Sequence, residues 1–219
     1  GILMRALAVT ALVVGCLAAA ARAEIIDRIA VTVDKDVITE SELLLAIRIT
    51  ALLNGAEPEF SAEAKRAAAE RLIDQLLLRR EMRVTRYPEP SPEEVAGQLD
   101  AVKKMFAAEG GYLAALGRYG VTEAELTGAL QRQAAVLRFI DLRFAPEVQV
   151  LEPELMEYFY RVCAQKLRES GIEGNIGFDE YRNDCEQIMV SERVDQRVET
   201  WLKDARGRAR IRYQEDAFK

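Results

Sequence analysis

The sequence predicts a mainly α-helical fold with a small β-sheet formed by its N- and C-terminal strands. Two observations carry this. Capping signals open one amphipathic run after another between residues 39 and 205. The strand-like segments, residues 25–38 and Ala209–Tyr213, lie at opposite ends of the chain. A short strand is not stable alone, so the terminal one must return to the first.

Residues 25–33 are rich in β-branched types, and strict alternation places Ile29, Val31 and Val33 on one face. Asp34-Lys35-Asp36 supplies a turn and Val37-Ile38 a returning strand. Thr39 with Glu42 forms a capping box ahead of Leu43, Leu44, Ile47 and Ala51 at helical spacing. Asn54-Gly55 ends that helix. Ser61 caps a second helix running to about Val84, with Ala68, Leu72, Ile73, Leu76 and Leu77 on its stripe. Ser91-Pro92-Glu93-Glu94 opens a third, which carries Val95, Leu99, Val102, Met105 and Phe106.

A short helix is expected around Tyr112–Arg118. Thr122 with Glu125 then starts a long one with Leu126, Leu130, Leu137, Ile140 and Phe144 on one face. Helix resumes from Glu154 to about Leu167, and residues 168–178, with three glycines and no periodicity, read as a loop. The closing helix is expected from Glu186, with Val194, Val198, Trp201, Leu202 and Ala205 aligned. In the last strand Ala209, Ile211 and Tyr213 share one face, and Arg208, Arg210 and Arg212 the other.

The first residues read as a targeting segment. Arg5 precedes an apolar run from Ala6 to Ala21, and Ala21-Arg22-Ala23 has the small-x-small pattern of a signal peptidase site. Cleavage is expected between Ala23 and Glu24, with residues 1–23 the signal peptide. A competing reading takes Val13-Val14-Gly15-Cys16 as a lipobox with Cys16 lipidated, the one route to membrane association. An uncleaved anchor is the third. Each places the chain outside the cytoplasm.

The sequence contains no histidine. That removes Ser-His-Asp and Cys-His nucleophiles, imidazole metal ligands and histidine general bases. A net charge of −6 argues against a protein whose main task is to hold nucleic acid. Neighbouring acids such as Asp34/Asp36 and Glu93/Glu94 fall in turns and helix first turns, where they cap or meet water. Gly171-Ile-Glu-Gly-Asn-Ile-Gly177 lacks the spacing and flanking strand of a phosphate loop and reads as a connector. No cofactor and no metal site are expected.

Cleavage would leave two cysteines, Cys163 and Cys185. Outside the cytoplasm an even pair points to one disulfide, and the other reading is two buried thiols. Met105, Phe106, Tyr112, Leu116 and Tyr119 also carry two readings: the lining of a groove for unfolded polypeptide, or ordinary core at helical spacing.

Three stretches resemble the SurA-like periplasmic chaperones, relatives of parvulin-type prolyl isomerases. Ile26-Asp-Arg-Ile-Ala-Val-Thr-Val-Asp-Lys-Asp-Val-Ile-Thr-Glu-Ser-Glu42 is similar to the family's opening strand–turn–strand–helix. Tyr112-Leu-Ala-Ala-Leu-Gly-Arg-Tyr-Gly-Val-Thr-Glu-Ala-Glu-Leu126, continuing to Leu155, is similar to the helices that precede its isomerase domains. Trp201-Leu-Lys-Asp-Ala-Arg-Gly-Arg-Ala-Arg-Ile-Arg-Tyr213 is similar to its closing helix and strand. The parvulin insertion has no room between Tyr160 and Val194, and parvulin sites use histidines that this chain lacks.

The resemblance implies a single chaperone domain over residues 24–219, with a helical core 39–160, a connector 161–186 and a closing helix and strand 187–213. It implies a non-enzymatic, ATP-independent periplasmic protein that binds unfolded or extended polypeptides, outer-membrane protein precursors among them, with no small-molecule substrate. The Cys163–Cys185 bond would then pin the helices where the isomerase is missing. The alternatives are an envelope subunit with one fixed partner and, against the missing histidines, a prolyl isomerase.

Overall fold

In a computed structural model of the chain, residues 27–108 and 110–219 are described. The expected signal peptide 1–23, its cleavage site and the Cys16 lipobox lie outside the described residues. The architecture is mainly helical with one three-stranded antiparallel sheet, β2-β1-β3, built from both ends of the chain. β1 (Ile29–Val33) lies in the centre. It pairs with β2 (Asp36–Thr39) on one side and with β3 (Ile211–Tyr213) on the other, Val31 facing Tyr213 and Val33 facing Ile211.

The β1–β2 register slips between Ile29, opposite Thr39, and Val31, opposite Ile38. Ala30 is thus the extra residue of a β-bulge. This corrects the expected face: Ala30, Val31 and Val33 are fully buried, while Ile29 is 44% exposed. Strict alternation fails because a bulge turns each residue before it to the other side.

Capping boxes start α1 (Glu40–Asn54) at Thr39, α3 (Pro92–Met105) at Ser91 and α5 (Glu123–Arg143) at Thr122. Ser61 caps α2 (Ala62–Thr85), and α4 (Tyr112–Tyr119) closes on Gly120 at φ 63°. That left-handed backbone suits a residue without a Cβ. α6 (Glu152–Tyr158) runs through a π turn, Phe159–Cys163, into α7 (Ala164–Glu169).

α8 spans Phe178–Arg208, beginning eight positions before the expected Glu186. The stretch 161–186 expected as a connector comprises a π turn, a short helix, an irregular stretch and the first turns of α8. Gly177 at the α8 N-cap makes no side-chain cap bond, so the start carries no Ser/Thr/Asp signal.

Two arginines fasten the ends together. Arg80 of α2 donates to Asp36 at 2.7 Å, to Asp34 at 2.7 Å and to the Val33 carbonyl, clamping the hairpin turn. The Asp34 carboxylate also accepts from the Arg210 amide at 2.8 Å, tying the same turn to the entry of β3. Arg206 of α8 donates to Asp74 at 2.7 Å and to the Glu70 side chain and carbonyl, while the Tyr213 hydroxyl donates to Glu70. Beneath the sheet, Val31, Val33, Leu43, Ile47, Ile73 and Phe218 form one apolar cluster.

These bonds set a pH window. The Arg210 amide, then Arg80, holds the Asp34 carboxyl below its ordinary value. Burial works to raise Glu70, but its bonds from Tyr213 and Arg206 prevail and lower it. Both folded-state values are depressed, so their contribution is present above the unfolded carboxylate range near pH 4 and lost as pH falls through the folded values. Burial and Glu70 push Tyr213 up to about 12 from 10.0. Its contribution is therefore full below pH 10 and lost as pH rises towards about 12. Denaturant midpoints measured across the alkaline range should fall over that interval, and Tyr213→Phe should flatten part of the slope. An unchanged slope in the variant would place the alkaline loss elsewhere.

Candidate functional site

The five residues expected to line a groove do gather, where the end of α3 meets α4, but mostly as interior. Phe106, Leu116 and Tyr119 are buried, with the Phe106 and Tyr119 rings 6.3 Å apart edge to face. They pack with Leu52, Val95, Val102 and Leu126. Of the five, only Met105, 52% exposed, and the half-buried Tyr112 keep contact with solvent. Of the two readings, core fits Phe106, Leu116 and Tyr119, because α4 folds back onto α1 and α3 and covers them. Lys103 sits over the Tyr112 ring at 5.2 Å. Burial, with the Glu123 charge nearby, pushes the Tyr112 hydroxyl up to about 12.

Cys163 and Cys185 stand within disulfide-bonding distance, with Cα atoms 5.8 Å apart, and both are fully buried. They join the α6–α7 segment to α8 inside an apolar cluster of Leu155, Phe159, Leu167 and Met189. Their separation is 22 residues, and closing a loop of that size is worth roughly 3 kcal/mol in the chain-entropy model. Reduction is expected to lower the unfolding free energy by about that amount at most. Amide-exchange protection should drop first in residues 152–189, while the sheet, whose strands share no cluster with the cysteines, stays protected. Equal loss of protection in β1 would contradict this local role.

The surface able to take a ligand lies elsewhere. A groove of about 510 Å³ runs between α1 and α2, from the edge strand β2 to the middle of α5. Its floor is apolar: Leu45, Ile49 and Leu53 from α1, Leu72 and Leu76 from α2. Helix periodicity assigns these side chains to a stripe but does not show that two stripes part instead of closing. The rim is basic, with Arg71, Arg79 and Arg83 from α2 and Arg132 from α5. Partial desolvation, then the Arg79 charge, lowers the Arg132 pKa, with Glu42 opposing, although much of this side chain still touches solvent.

Both carboxylates in the groove are already engaged. Asp36 accepts from Arg80, and Glu42 accepts from the Thr39 amide at 2.9 Å in the α1 capping box. The groove therefore offers apolar area and positive charge, which is equipment for binding. A second cavity, of about 560 Å³, lies between the α5 end and α8, but its arginines are neutralised: Arg143 and Arg197 by Glu147, Arg193 by Glu154. Among the described residues there is no cluster of metal-ligating side chains and no helix long and apolar enough to cross a membrane. Comparison with protein-family models and with curated proteins finds no match for the chain.

Proposed function

We propose that the chain is an ATP-independent chaperone of the SurA-like kind, exported to the periplasm, that holds unfolded polypeptides and lacks the isomerase. The observation that carries the reading is the groove between α1, α2 and β2, whose floor of Leu45, Ile49, Leu53, Leu72 and Leu76 is left open. The strand–turn–strand–helix opening and the returning terminal strand add support, since the family resemblance implies that arrangement. Outer-membrane protein precursors are the clients this reading names. Release would follow from the client's own folding, which buries the segments the groove had covered.

The test is suppression of aggregation. At a stoichiometric ratio the full chain should delay light scattering by several unrelated unfolded proteins. Leu45→Gln and Leu72→Gln, on half-buried floor residues, should weaken that protection without loss of the folded circular dichroism signal. A chain that protects no unfolded protein would instead favour an envelope subunit with one fixed partner.

A further inference from the structure

We infer that this groove selects extended peptide segments in which apolar side chains are flanked by carboxylates, a client class that rests on the chaperone reading. Four arginines along the groove carry the inference. Among the described residues Arg71, Arg79, Arg83 and Arg132 stand in no ion pair, whereas Arg66, Arg80 and Arg206 of the same region are each held by a carboxylate, and all four line this groove. Guanidinium groups held out of ion pairs beside apolar walls give a field and a donor geometry suited to carboxylates.

Two details shape the occupant. Lys35 to Ile38 border the groove, and β2 is an edge strand with Val37 47% exposed. An extended peptide, whose backbone resembles a strand, fits along such an edge better than a compact ligand does. Gly128 lies one turn before Arg132, and a Cβ there would meet the Arg132 guanidinium at 3.3 Å. Glycine inside a helix costs about 1 kcal/mol relative to alanine, and here it leaves room for the cation that α5 contributes to the rim.

The test uses the full chain and three labelled peptides with one alternating Leu/Tyr core, flanked by Glu, Gln or Lys. Fluorescence anisotropy should rank them Glu, Gln, Lys in falling affinity, with the Glu peptide about tenfold tighter than the Gln peptide at low salt. The preference should fade as salt rises. The Arg79→Gln/Arg132→Gln pair should narrow the gap between the Glu and Gln peptides and leave the latter unchanged. If that variant fails to fold, the salt series on the unaltered protein carries the test. Equal binding of the three peptides would overturn the inference, as would displacement by decanoate at concentrations below those of the peptide. An unfolded protein held without charge preference removes the inference and leaves the chaperone reading. A bound Glu peptide with no suppression of aggregation does the reverse.

Discussion

A chain cut after Arg208 is expected to melt far below the full-length protein and to aggregate on heating. β3 completes the sheet, so its removal leaves β1 as an open edge with Val31 and Val33 behind it. The lost segment also carries Phe218, 2% exposed, in the 3₁₀ turn Glu215–Phe218 beneath the sheet. Emptying the site of a buried Phe costs about 3–5 kcal/mol by itself. Lys65, buried at 8% exposure, would lose the Lys219 carbonyl that accepts from its ammonium at 2.8 Å. Against a total stability of about 5–15 kcal/mol for a domain, these losses add up to unfolding. The milder Ile211→Asp should move in the same direction, since a charge would enter a half-buried position opposite Val33. Thermal melts and light scattering read the outcome. A truncated protein that melted with the full chain and stayed monomeric would remove the sheet from the stability argument.

Phe139→Ala is expected to cost about 3–5 kcal/mol, a fall in Tm of about 6–20 °C for a chain of this size. The Phe139 ring is fully buried in α5 and meets Tyr87 edge-on at 4.8 Å and Phe144 at 6.0 Å. Phe144 in turn meets Trp201 of α8 at 6.3 Å. Around them pack Leu78 and Met82 of α2 and Val194 and Val198 of α8, so one side chain stands where three helices converge. Leu137→Ala, two residues earlier at 51% exposure, is the control and should change stability by less than about 0.5 kcal/mol. Equal melting of the two variants would mean that the helices are not held together at this point.

Residues with a local reason for their conformation are legible in the sequence, and those whose reason is distant are not. Thr39, Ser91 and Thr122 cap helices because each reaches an amide three residues on, so the pattern is contained in four letters. The start of α8 at Phe178 escapes notice because Gly177 brings no side chain to the cap. Helical spacing puts Leu137 on the buried face of α5, yet Ala134, Ala135 and Phe139 occupy it. Small residues let helices approach, and a search for large apolar side chains passes over them. Phe106, Leu116 and Tyr119 read equally well as groove or core, and only the docking of α4 decides for core. The basic rim has no sequence signature: Arg71, Arg79 and Arg83 sit on one helix and Arg132 on another, with no spacing to connect them.

The placement of β3 also sets a timetable for synthesis. The Arg210 amide bonds to Asp34 across 176 residues of chain. At translation rates of about 5–20 residues per second, roughly 9–35 s pass between the appearance of the hairpin and that of the strand that covers it. During that interval β1 offers an unpaired edge to whatever lies near the emerging chain. The helical layers α1 to α5, whose contacts are closer in sequence, can assemble meanwhile, but the sheet waits for Ile211–Tyr213. A nascent chain of this protein is therefore itself an unfolded polypeptide in need of shelter until β3 has been made.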